Sequence, residues 1–121
     1  MGKNVVVLGA TNKADRFANR AMRALLEHGH QAIPVNPAEE EVAGQPCRKS
    51  IAEVIEPIDT VTMYLGAARS EPLIREIVAA KPKRIVFNPG AENDHLVTEA
   101  EKAGIEVVHG CTLIMLNDGT F

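Results

Sequence analysis

The chain reads as an α/β protein: an open parallel sheet of about five strands, in the order 3-2-1-4-5, with helices on both faces. Three observations point there. Short apolar runs alternate with stretches of helical spacing along the whole chain. The first run, Val5-Val6-Val7-Leu8, is a continuous apolar stretch dominated by β-branched valines, as a strand covered on both faces requires. It passes directly into Gly9 and a loop that opens a helix, the order of a sheet that presents helix N-termini to a ligand.

Each element follows from its local pattern. Asn4 to Leu8 is the first strand. Asp15 is placed to cap a helix in which Ala18, Ala21, Met22, Leu25 and Leu26 share a face. His28 lies in its last turn and Gly29 is its C′ stop. Gln31 to Val35 is the second strand, closed by Asn36-Pro37. The stretch 38–46 is acidic, holds Gly44 and Pro46, and reads as a surface loop. Ser50-Ile51-Ala52-Glu53 has capping-box spacing and starts a short helix that stops at Pro57. From Thr60 to Leu65 polar and apolar residues alternate, which predicts a third strand with one wet face at a sheet edge. Ser70 caps the next helix, with Pro72 in its first turn and Leu73, Ile74, Ile77 and Val78 as its stripe. Arg84 to Phe87 is a fourth, buried strand, followed by Asn88-Pro89-Gly90. Leu96, Val97 and Ala100 mark a further helix ending at Gly104, and Glu106 to Val108 makes the fifth strand. Residues 111–116 fit either a short helix or an extended arm. With this order the sheet reverses between its first and fourth strands, so the loops beginning at Gly9 and Asn88 face one another.

Composition narrows the function. A chain of 121 residues suits one domain spanning 1–121 with one core. Aromatics make up 3% and Trp is absent, so that core is aliphatic. A formal net charge of −3 argues against general nucleic-acid binding by bulk electrostatics. No apolar run approaches the ~20 residues of a membrane span. The opening residues already belong to a strand, so no signal peptide is expected. Cys47 and Cys111 are far apart and form no CxxC pair, so free thiols in a reducing cytoplasm are expected.

The strongest candidate site is Gly9, Ala10, Thr11, Asn12, Lys13 and Arg16. Gly9 permits a tight turn and close approach of a ligand. Thr11 and Asn12 offer polar groups beside free helix amides. Lys13 and Arg16 put positive charge at the positive end of a helix dipole, which costs roughly 0.3–1 kcal/mol each unless an anion sits there. A solvated helix face behind a tight turn is the alternative. Asn36-Pro37 stands where a dinucleotide site carries an acid for the ribose diol; it also fits a plain turn. Asn88, Pro89 and Gly90 close the fourth strand, with the same two readings. Leu65 and the small residues after it could lie against an adenine ring, with Arg69 reaching a phosphate, or form a flexible loop. His109 and Cys111 share a face if the fifth strand continues, and Cys111 gains thiolate character if a helix begins there. A buried structural cysteine is the ordinary case. The remaining histidines show no metal spacing, and Glu39-Glu40-Glu41 reads as solvated surface.

Taken together these residues resemble the CoA-binding domain family, which shares a Rossmann-like fold with the CoA-binding part of the succinyl-CoA synthetase alpha subunit. The resemblance covers nearly the whole chain. It rests on Leu8-Gly9-Ala10-Thr11-Asn12-Lys13, on Leu26-Glu27-His28-Gly29-His30, on Pro34-Val35-Asn36-Pro37, on Gly44 and Ser50, and on 103–108 with Cys111. The chain departs from the family at 64–69 and 87–90. The resemblance implies coenzyme A or acyl-CoA as ligand, bound by a small cytoplasmic protein with no catalytic residues, and leaves a homo-oligomer or a protein partner open. Two other readings stand beside it: an NAD(P)-binding redox sensor, and a detached component of an acyl-CoA ligase or acyl-transfer enzyme. The single loop glycine and Asn36 in place of an acid speak against NAD(P).

Overall fold

A computed structural model describes residues 2–121. In chain order it contains β1 (Asn4–Leu8), α1 (Phe17–Glu27), β2 (Gln31–Val35), a small hairpin of β3 (Glu41–Val42) and β4 (Gln45–Pro46), and a 3-10 turn (Ile51–Glu53). Then follow β5 (Thr60–Met63), α2 (Ala67–Ser70), a second 3-10 turn (Glu71–Leu73), α3 (Ile74–Ala79), β6 (Arg84–Phe87), α4 (Asp94–Lys102), β7 (Glu106–His109) and α5 (Thr112–Asp118).

The expected α/β class holds: β2, β1, β5, β6 and β7 form one sheet in that order, parallel throughout. Strand periodicity divides the core in two. Val6 and Leu8 of β1 join Ile33, Val61, Met63, Ile85 and Phe87 under α3 and α4. Val5 and Val7 face the other way, onto Ala18, Met22 and Leu25 of α1 and Leu116 of α5. Val5, Val6 and Val7 are fully buried, and each contributes about 1.5–3 kcal/mol by leaving water.

The strand order corrects the sequence expectation. The third sheet strand, β5, lies between β1 and β6 instead of at the edge, and all four of its residues are buried. Its threonines mimicked a wet face, but their hydroxyls are satisfied inside the protein. Thr60 Oγ1 accepts from Arg84 Nε at 3.0 Å, and Thr62 Oγ1 accepts from Asn88 Nδ2 at 2.7 Å. The sheet therefore reverses between β1 and β5, so the crevice at the strand C-termini is flanked first by the loops after those two strands.

Local differences have local causes. Arg16, not Asp15, occupies the N-cap position of α1, and no side chain caps it. The acidic loop folds into the β3–β4 hairpin about Ala43 and Gly44, both at positive φ (51° and 78°). Alanine is a poor match for that conformation, which hid the turn. Ser50 leads only into a 3-10 turn, and Glu53 takes the Lys49 amide at 3.1 Å instead of closing a capping box. The segment after β5 is helical from Ala67, so Ser70 is an interior residue. It is buried and accepts from Asn93 Nδ2 at 2.9 Å. Residues 112–118 are helical, which resolves the open reading of the last segment.

Candidate functional site

β1 delivers the chain into the crevice at Gly9, whose φ is +95°. A Cβ there would lie 2.9 Å from Leu65 Cδ2 and 3.2 Å from the Tyr64 carbonyl carbon, so the loops after β1 and β5 meet at a position only glycine fills without strain. From Gly9 to α1 the loop is held by side chains behind it. Asn36 Nδ2 donates to the Ala10 carbonyl at 2.7 Å, Asn19 Nδ2 to the Thr11 carbonyl at 2.9 Å, and Arg23 to the Ala14 carbonyl at 2.9 Å. These bonds occupy three of the loop's carbonyls. The amides of Phe17 and Ala18, which open α1, have no partner among the described residues. Both residues line the crevice.

That crevice is a cavity of about 500 Å³. It gathers eleven of the sequence candidates: Gly9, Thr11, Lys13, Arg16, Asn36, Leu65, Arg69, Asn88, Pro89, Gly90 and Cys111. Ala10 is instead buried in the core beneath the loop. Asn12 turns away: its amide donates to Glu39 Oε2 at 3.0 Å and its Nδ2 to the Glu41 carbonyl at 2.7 Å. Glu39 is thus a loop anchor as well as a surface charge. Pro37 lies in a neighbouring cavity. Phe17, Ala18, Tyr64 and Ala91 line the main cavity without having been singled out from sequence. Phe17 carried a usable signal: its ring, 62% exposed, sits in the first turn of a helix where an apolar residue has no core to face.

The charge distribution is uneven. Salt bridges among the described residues join Arg48 to Glu56, His95 to Glu71 and Lys102 to Glu99. Lys13, Arg16 and Arg69, all lining the cavity, belong to none of them. Three unpaired cations and two unpaired amides at the positive end of a helix make a place for an anion.

Asn88 has a different role from Gly9. It is 3% exposed and its side chain is committed inward. Nδ2 donates to Thr62 Oγ1 and, at 2.8 Å, to the Met63 carbonyl, while Oδ1 accepts the Thr112 amide at 2.8 Å. Asn88 therefore ties the ends of β5 and β6 to the first turn of α5 and fixes Cys111, its N-cap residue, at the cavity wall. The Tyr64 hydroxyl is buried beside this network, in which Thr62 and Thr112 engage each other at 2.8 Å, and has no hydrogen-bond partner among the described residues. Burial pushes its phenol up to about 12. The Cys47 thiol, packed against the α1 side of the core, is also raised by burial. Asn36 Oδ1 accepts the Ala38 amide at 2.8 Å, so Asn36 both makes its turn and supports the glycine loop.

An open parallel sheet with a glycine loop, helix amides without partners among the described residues and unpaired cations at its reversal point is the arrangement of a Rossmann-like α/β domain. The chain belongs to the CoA binding domain family, whose sequence profile matches residues 3–117. It is 34% identical over 71 residues to uncharacterized protein YneT of Bacillus subtilis (strain 168). That match covers 59% of this chain and 50% of YneT, so it spans about half the length of that relative. A crystal structure of an uncharacterized protein superposes with a TM-score of 0.94 at 42% identity, covering 100% of this chain and 99% of that one. A dinucleotide-forming acetyl-coenzyme A synthetase 1 from Ca. Korarchaeum cryptofilum matches at TM-score 0.76 and 21% identity, over 90% of this chain and 26% of the synthetase. That last likeness is one of fold.

Proposed function

We propose that this chain binds coenzyme A or an acyl-CoA, with the ligand's diphosphate on the loop from Gly9 to Ala18 and its thiol arm running toward Cys111. The carrying observation is the pair of unpartnered amides at Phe17 and Ala18, set beside unpaired Lys13 and Arg16 in one cavity of about 500 Å³. A diphosphate satisfies both features at once: it accepts from the amides and neutralises the cations. Membership of the CoA binding domain family supports CoA as the diphosphate carrier. The loop has one glycine where a dinucleotide fingerprint has three, and Asn36 rather than an acid ends β2, which disfavours NAD. The protein acts as a binding module, its residues serving to hold and orient the ligand.

Thermal unfolding with CoA, acetyl-CoA, NAD or NADP at equal concentrations tests this. CoA and acetyl-CoA are expected to raise the melting temperature clearly, and the nicotinamide nucleotides little. Equal or greater stabilisation by NAD or NADP overturns the reading.

A further inference from the structure

We propose that the bound molecule is a CoA thioester with a short, uncharged, apolar acyl group, and that Phe17 selects it by packing on the acyl chain; this rests on the CoA reading above. Among the described residues three large apolar side chains are exposed: Phe17, Ile55 and Ile114. Phe17 is the one of the three that lines the cavity of about 500 Å³. It opens α1, and the core makes no demand on its side chain, because its neighbour Ala18 is the residue that enters the core. Arg20 stands over the ring, its Cζ 5.4 Å from the centroid. That contact favours one orientation of the ring and leaves most of it open.

The thiol end of the cavity sets the class of acyl group. Cys111 marks that end. α1 follows β1 and α5 follows β7, so both helices begin at the C-terminal ends of the strands. Ala18 of α1 and Leu116 of α5 share one core cluster, which puts the two helices side by side on the same face of the sheet. Phe17, in the first turn of one, and Cys111, the N-cap of the other, therefore flank the same part of the crevice. The polar side chains around Cys111 are already committed. Asn88 is spent on Thr62, Met63 and Thr112, and Thr62 and Thr112 engage each other. The Tyr64 hydroxyl is buried. Among the described residues no carboxylate lines the cavity. Of its cations, Lys13 and Arg16 serve the diphosphate, and Arg69 lies on α2 and lines the neighbouring cavity as well. A carboxylated or hydroxylated acyl group would lose water there without gaining a partner. Methylenes gain by the same transfer, about fourfold in affinity for each one buried.

Titration calorimetry with CoA, acetyl-CoA, butyryl-CoA and succinyl-CoA decides the matter. The wild type is expected to bind butyryl-CoA about tenfold or more tighter than CoA, acetyl-CoA in between, and succinyl-CoA no tighter than CoA. In Phe17→Ser the ratio of butyryl-CoA to CoA affinity is expected to fall to about twofold. The ratio is the readout because a disturbed loop that weakens every ligand alike does not move it. Phe17→Leu, which keeps an apolar side chain on the same backbone, retains most of the ratio. A wild type that binds all four ligands alike, or prefers succinyl-CoA, overturns the assignment and leaves the CoA reading standing, and so does a Phe17→Ser protein that keeps the ratio or a Phe17→Leu protein that loses it. A wild type that binds none of the four overturns both. Phe17 is exposed, so an unchanged melting temperature in the free protein is the check on folding.

Discussion

Gly9 joins fold and site in one residue. Its positive φ turns the chain out of β1, and its missing side chain lets Leu65 close against the loop. Gly9→Ala meets both constraints, a left-handed backbone and a neighbour at 2.9 Å, and is expected to cost about 1–3 kcal/mol. Urea unfolding measures that loss, and calorimetry with CoA is expected to show weaker binding alongside it. Asn36 and Asn88 teach the opposite lesson. Both were legible as residues at the right place, the ends of strands facing the crevice. Their amides, however, are spent on protein groups: Ala10 and Ala38 for one, Thr62, Met63 and Thr112 for the other. Turn chemistry and ligand contact predict the same residue types, so composition could not separate them.

Among the described residues, an ion pair helps hold the segment linking β4 to β5. Arg48 and Glu56 meet through two hydrogen bonds of 2.9 and 2.8 Å, and the Arg48 guanidinium holds the Glu56 carboxyl down at about 2, against an ordinary 4.5. Because the folded-state value is the lower one, the unfolded chain binds the proton more readily between these two limits. The pair's contribution is therefore present above pH 4.5 and is lost as pH falls toward 2. Both side chains are about a quarter exposed, so screening by water limits the contribution to about 1 kcal/mol. Glu56→Gln is expected to be less stable than the wild type by that amount at pH 7, with the difference shrinking steadily below pH 4.5 in urea unfolding.

Across the whole molecule, stability and binding pull against each other at the N-terminus of α1. Lys13 and Arg16 sit unpaired beside a positive helix end, with Arg20 one turn further on over the Phe17 ring. Arg16→Glu reverses the wrong-signed charge and is expected to leave the free protein as stable as the wild type, or up to about 1 kcal/mol more stable. The same change is expected to remove the CoA response. For the wild type that response is about 2.7 kcal/mol when CoA is at 100 times its dissociation constant. Paired melting curves with and without CoA check both signs.

Periodicity alone carried the alternation of strands and helices, the buried runs of β1 and β6, the glycine loop and its cations. These are properties of neighbours along the chain, and local pattern records them. The position of β5 depended on partners remote in sequence. Arg84, Asn88 and Thr112 satisfy its threonines, and without them a buried hydroxyl and a wet one look alike. The departure of Asn12 toward Glu39 and the packing of Leu65 against Gly9 have the same origin. Each is a contact between segments far apart in the chain, and packing in three dimensions selects it.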